Sequence, residues 1–292
     1  MDKLITTLII FMCITHSNAQ YAYFGTRGKI AFDKVTFTKA RMKSMSQQMD
    51  PAMAMRFGGG FNADNMPESN TQKMTLYFDE NSTVLIPEVS TPENTGSRGN
   101  NPERMNQGGG GGRIVTTGVR GGGAGFSMGM GRGGRMNPNS KVFYQDLKKG
   151  SSDVQLEIDE KYIISDTLNN ITWRFTDEYR DIAGFECRRV NGSTPDSLYL
   201  VAFYTDQIPV SAGPALSSGL PGMILGLAIP EMHIQYWATK VDYTNDTTPS
   251  DWKDKKANAI SFDEFVKSFG RMFQRGRDSN TARRQIQEQL IY

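Results

Sequence analysis

The chain has 292 residues, with 33 Lys and Arg against 31 Asp and Glu, a net charge of +2, two histidines and two cysteines. Charge this balanced leaves no electrostatic footprint for nucleic acid, and two histidines leave little for a His-based metal site or a Ser-His-Asp triad. The length holds one large domain or two small ones, and the composition of the middle of the chain leaves a single core.

Residues 1–19 read as an export signal. Lys3 supplies the positive start, Leu4 to Ile14 is apolar but too short to span a bilayer, and Ser17-Asn18-Ala19 puts small residues before a cleavage point at Gln20. Cys13 lacks the small residues that precede the cysteine of a lipoprotein signal. The expected location is therefore exported, in the periplasm, associated with the outer membrane or outside the cell, with no transmembrane segment after cleavage. The mature chain keeps one cysteine, Cys187, so no intrachain disulfide forms in an oxidising compartment, and burial is its expected role. His233 is the one mature histidine.

Residues 20–87 hold the first strands and a Met-rich insertion. Lys29 to Phe37 is rich in β-branched and aromatic residues and predicts a strand. Met42, Met45, Met49 and Met53 recur at spacings of three, four and four, one face of a helix over 38–57 that Asp50-Pro51 interrupts and Gly58-Gly59-Gly60 ends. Met74 to Phe78 and Ser82 to Ile86 form a hairpin about Asp79-Glu80-Asn81. Residues 88–140 are Gly-rich and basic, without apolar periodicity; such a stretch buries too little surface to offset its ordering entropy. They read as a disordered insertion within the same domain.

Residues 141–260 carry the main sheet. Strands are predicted at 141–147, 154–158, 161–164, 171–175, 185–190, 197–205, 223–229 and 234–241. Short strands with regular turn signals and little helix between them argue an antiparallel sheet. In the final part, 261–292, Ser261-Phe262-Asp263-Glu264 is a capping box opening a short helix with Phe262, Phe265, Val266 and Phe269 on one side. A basic tail follows, with a marginal helix over 281–290.

One stretch organises the rest. Gly219-Leu220-Pro221-Gly222-Met223-Ile224-Leu225, preceded by Ala212-Gly213-Pro214, is an apolar turn entering a buried strand. Turns normally sit in water, so this one is covered by the protein's own core or by a partner. Together with Trp173, Ile182 to Arg189, Ala202-Phe203-Tyr204-Thr205 and Ile208 to Pro214, it resembles the GLPGLI family of exported Bacteroidota proteins. Met223 departs from the family's leucine and Phe203 from an expected tryptophan. The resemblance implies secretion, a mostly β domain and no established activity. Similar domains look like a bowl or half-barrel of one curved antiparallel sheet, in the manner of LolA-type carriers, and a similar module precedes a catalytic domain in a secreted glycosidase.

The reading that follows is a mainly β, non-enzymatic envelope protein. The concave face of its sheet binds an apolar, lipid-like ligand or an envelope protein partner, without a cofactor. Trp173, Phe203, Tyr204, Leu220 and Met223 are the residues expected to line or support that face, with Gly219, Pro221 and Gly222 shaping its rim. One alternative is copper handling by Met42, Met45, Met49 and Met53, because thioethers select Cu(I); an adaptable apolar helix face is the plainer account of them. A second alternative is a hydrolase using Asp177, Glu178, Asp181 or Glu186, which are expected in a solvated turn. Arg-Gly runs such as Gly131 to Arg135 resemble RNA-binding segments, but export removes the RNA.

Overall fold

A computed structural model describes residues 25–48, 66–88, 140–168, 170–273, 283–284, 286–288, 290 and 292. The signal over 1–19 lies outside these, as does all of the insertion over 88–140 except Glu88 and Ser140. The strands are β1 (Gly28–Thr36), β2 (Asn70–Phe78), β3 (Ser82–Pro87), β4 (Val142–Asp146), β5 (Ser151–Glu157), β6 (Lys161–Thr167), β7 (Thr172–Ile182), β8 (Phe185–Ser193), β9 (Tyr199–Thr205), β10 (Met223–Ile229), β11 (Ile234–Tyr243) and β12 (Asn258–Ser261). Among the described residues they are accompanied by α1 (Thr38–Gln48), a 3-10 turn (Pro230–Met232) and α2 (Phe262–Phe273). The fold is mainly β, and among the described residues no helix is long and apolar enough to cross a membrane.

All twelve strands form one open sheet in the order β12-β6-β5-β4-β3-β2-β1-β11-β10-β9-β8-β7. Neighbours are antiparallel throughout except at one edge, where β12 runs parallel to β6. That pair departs from the all-antiparallel expectation. Four residues with one large apolar side chain, Asn258-Ala259-Ile260-Ser261, give no period to read. The long connection over 244–257 delivers them to the β6 edge; it is tied down by Trp252 stacked on Tyr144 at 5.0 Å and by Asp254 paired with Lys161 at 2.6 Å.

The sheet has an inner face set by alternation. Ile30, Phe32 and Lys34 of β1 point the same way as Leu76 and Met74 of β2, Leu85 of β3 and Phe143 of β4. In the other direction that face continues through Tyr236 of β11, Leu227 of β10, Ala202 of β9 and Val190 of β8. Every one of these residues is buried. A flat sheet would place β7 and β6 at opposite extremes, yet the β9–β10 connection reaches both. Trp173 of β7 donates from Nε1 to the carbonyl oxygen of Ser218 at 2.9 Å. Leu216, two residues earlier, shares a small void with Val154 of β5 and Ile164 of β6. The sheet therefore curls around this connection, as the half-barrel expectation requires.

The described C-terminal residues pack against the same curl, with Leu290 beside Val154, Ile164 and Leu216. The capping box forms as expected: Glu264 N–H donates to Ser261 Oγ at 3.3 Å, and Ser261 N–H donates to Glu264 Oε2 at 3.1 Å. It starts α2, whose Phe265 is fully buried beside Tyr162 of β6. Residues 283, 284, 286–288 and 290 are helical again, and Ile286, Leu290 and Tyr292 are buried.

Candidate functional site

The β9–β10 connection, residues 206–222, is a wedge of apolar residues driven into the curl. Ile208, Val210, Ala212, Ala215, Leu216 and Leu220 are all buried. A buried loop must satisfy its own backbone, and this one does so on three sides. Met223 N–H donates to Ile208 O at 3.0 Å and Ile224 N–H to Ala212 O at 2.8 Å. Gln145 of β4 donates from Nε2 to Gly213 O at 3.0 Å, and Trp173 holds Ser218 from β7. The tip of the wedge turns on Ala215 and Leu216, whose φ angles of 53° and 59° are left-handed. That geometry costs about 1–2 kcal/mol per non-glycine residue, and burial of Leu216 between β5 and β6 offsets it.

The motif glycines have two separate reasons. A Cβ on Gly222 would lie 2.0 Å from the carbonyl oxygen of Thr205, so the chain enters β10 against the backbone of β9. Gly219 has φ of 89° and meets only the Trp173 indole, at 3.4 Å. Pro221 between them is exposed.

The residues expected to line one open face are placed differently from one another. Trp173 and Tyr204 belong to the inner side near the β7 edge, with Tyr204 edge-on to Phe175 at 6.1 Å. Leu220 and Met223 are buried in the wedge and at its exit. Phe203 faces the other side, because alternation opposes it to Tyr204. There it packs on Trp237 at 5.6 Å, and the Arg180 guanidinium lies over both rings at 5.7 and 5.1 Å. The concave face is thus filled by the chain itself. Two voids at its seam measure about 20 and 10 Å³, room for a water and not for a lipid.

The other candidates separate as well. Met42 and Met45 lie on α1; Met49 and Met53 fall outside the described residues. Asp177, Glu178 and Asp181 sit in β7, which runs on to Ile182 where a turn was expected. Two extra residues of β7 bulge between Phe175 and Tyr179, and there Asp177 pairs with Arg188 at 3.2 Å and Glu178 with Arg189 at 2.6 Å. Both carboxylates are solvated. Cys187 is fully buried, and burial, with Asp181 and Glu186 nearby, pushes its thiol up to about 12; such a thiol stays protonated at neutral pH. His233 turns the corner into β11 at φ of 54°. Among the described residues no group of three or more His, Cys, Asp or Glu is placed to hold a metal ion.

A group that sequence reading did not single out stands on the inner face. Lys34 is buried, lies 5.4 Å over the ring of its cross-strand neighbour Tyr236, and donates from Nζ to the main-chain oxygen of Tyr292 at 2.8 Å. Desolvation, reinforced by the positive charge of Arg41, lowers its amine to about 7. Lys141 is also buried and is lowered well below its ordinary value, first by desolvation and then by Lys34 and Arg41. The Tyr236 hydroxyl is buried without a hydrogen-bond partner. The available signal was Lys34 at an inward position of β1, in phase with Ile30 and Phe32; alternation exposes it, composition hides it.

Gly222→Ala is expected to destabilise the fold by about 2–4 kcal/mol, because backbone must move, and Gly219→Ala by about 1–2 kcal/mol, the left-handed strain alone. Urea unfolding of the two variants beside the parent gives the order. Lys34 sets a pH dependence. Between about 7 and the ordinary lysine value of 10.5, the unfolded chain holds a proton that the folded chain has lost, so stability rises with pH across that window. The slope is at most about 1.4 kcal/mol per pH unit. Lys34→Met is expected to flatten that rise and to stabilise the protein most at pH 7 and below, read by thermal unfolding between pH 6 and 10.

Comparison with known proteins gives a short match and a distant one. A family model described as a protein of unknown function (Porph_ging), an uncharacterised family found in Bacteroidota, matches residues 186–226, from β8 through the wedge into β10. No curated protein matches the chain. Two crystal forms of PNGF-II, in space groups C2 and P21, align with a TM-score of 0.45 and 12% identity over 85% of this chain. The chain spans about a third of those proteins, 33% and 34% of their lengths.

Proposed function

We propose that this chain is an exported, non-enzymatic binding module of the GLPGLI kind, whose binding face is the part of the inner sheet covered by its own C-terminal residues. The observation that carries the reading is the polarity of what lies there. Burying an amine beside an unpartnered phenol costs free energy, because each polar group left without full compensation is penalised. The wedge covers apolar residues and ties off its backbone. Tyr292 reaches Lys34, which lies over the ring of Tyr236. Filling of this kind is consistent with a face that exchanges its occupant. Export is the reading of residues 1–19.

A protein partner is a second reading, favoured by the open edge. β7 ends the sheet with Phe175 and Tyr179 exposed by 48% and 56%, and the Arg188 guanidinium lies against both rings at 5.4 and 6.0 Å. No observation on the described residues favours copper handling or hydrolysis.

Mass spectrometry of the chain purified from a bacterial envelope tests the proposal. The denatured mass is expected to begin at Gln20. In native spray, Ile286→Ala/Leu290→Ala is expected to carry a noncovalent adduct that denaturation removes. Retention in the cytoplasm with residues 1–19 intact would contradict export. A bare chain in both parent and variant would contradict a ligand-binding inner face and leave the β7 edge as the surface to pursue.

A further inference from the structure

Among the described residues β7 pairs on one side only, with β8. A strand edge presents a row of N–H and C=O groups that templates pairing with another chain. Sheets blunt such edges with short strands or prolines, but β7 runs for 11 residues and has no proline. Phe175 and Tyr179 stand exposed on it.

Alternation sorts the rest of the strand. Its pairing with β8 puts Trp173, Phe175 and Tyr179 on the inner side and Arg174 and Arg180 on the outer. The bulge keeps that order: Asp177 pairs with Arg188, which faces inward with Tyr204, and Glu178 pairs with Arg189, which faces outward with Phe203. The bulge is stitched to β8, since Arg188 Nε donates to Thr176 O at 2.7 Å and Thr176 Oγ1 donates to Arg189 O at 2.8 Å. It is a fixed part of the edge, and the side chains of its two acids are exposed by 99% and 64%. Arg174 is exposed too, and among the described residues it has no acidic partner.

The order of residues along β7 is complementary to itself. A two-fold axis perpendicular to the sheet sets two copies of the strand antiparallel, and inner residues stay with inner ones only if the axis passes through a residue. With the axis at Thr176, Arg174 of each copy lies opposite Glu178 of the other on the outer side. Trp173 of each lies opposite Tyr179 of the other on the inner side, Phe175 opposite Asp177 and Thr172 opposite Arg180. Opposite-charge and aromatic pairs are the ones that stabilise an antiparallel ladder, and no like charges face each other. Moving the axis to Asp177 sets that carboxylate against itself and Arg174 against Arg180. Moving it to Phe175 leaves no charge pair at all.

We propose that β7 pairs with β7 of a second copy of this chain, antiparallel and centred on Thr176, so that the two sheets continue as one. This assignment rests on the protein-partner reading of the open edge and names the partner.

Sedimentation equilibrium of the chain purified from a bacterial envelope tests it, at pH 7 and low salt, where exposed charge pairs are least screened. The parent is expected to form a dimer by about 100 µM chain. Arg174→Glu and Glu178→Arg are each expected to weaken it at least about tenfold, because two attractive pairs become two repulsive ones. An equimolar mixture of the two variants is expected to regain the parent's affinity as a heterodimer, because both pairs are then of opposite sign. Thermal unfolding of each variant beside the parent shows that the fold is kept, since both positions are exposed. A parent that stays monomeric at that concentration would overturn the second copy and leave the open edge as the surface for another protein. A dimer that neither reversal weakens would place the contact away from β7 and overturn the assignment. A dimer weakened by both reversals and not restored by mixing would overturn the register at Thr176.

Discussion

Where the chain leaves the wedge, Gly222 passes the carbonyl oxygen of Thr205 so closely that a Cβ there would sit 2.0 Å from it. The rest of the structure depends on that approach. It lets the residues after β9 turn inward, and it starts β10 with Met223 bonded back to Ile208. The wedge then sits in the curl with its tip between β5 and β6 and its shoulder against Trp173 of β7. A twelve-stranded open sheet has two distant edges; here one loop is held from both ends of the strand order, and the curl is fixed by what it encloses.

Two fillings of that curl obey different chemistry. The wedge is made of apolar side chains, and its backbone is satisfied by Gln145, Trp173 and its own turns. Near the C-terminus Ile286 and Leu290 are buried, and Tyr292 meets a buried amine that lies beside a phenol without a partner. Hydrophobic burial supports both. Each lies by a buried polar atom without a partner, Gln145 Oε1 at the wedge and the Tyr236 hydroxyl near the C-terminal residues, and the second of these stands beside a buried amine. A closed, self-filled bowl and a binding function are compatible on that basis, because the occupant differs from the architecture that receives it.

Much of this was legible in the sequence. The alternation of β1, the Asp79-Glu80-Asn81 hairpin, the run from Met223 to Ile229 and the Ser261 to Glu264 capping box carry local signals, and local physics decides them. The apolar turn at Gly219 to Leu225 announced that something covers it, and the cover is the sheet's own curl. What stayed hidden was long-range. Phe203 and Tyr204 are adjacent in sequence and lie on opposite sides of the sheet, so a site drawn from both was bound to divide. Lys34 reads as an ordinary strand lysine until its neighbours Tyr236 and Tyr292, 202 and 258 residues away in sequence, come to it. β12 has too few apolar residues to show a period, and its parallel pairing depends on where the 244–257 connection ends.

Hydrogen exchange of the folded chain, read by mass spectrometry at peptide resolution, tests the distinction between the wedge and the C-terminal residues most directly. Peptides covering 208–225 are expected to exchange only with global unfolding, since their amides are enclosed by the curl. Peptides covering 283–292 are expected to exchange through local opening, several orders of magnitude faster than the wedge. Equal protection of the two segments would make the C-terminal residues a permanent part of the core and contradict an exchangeable inner face.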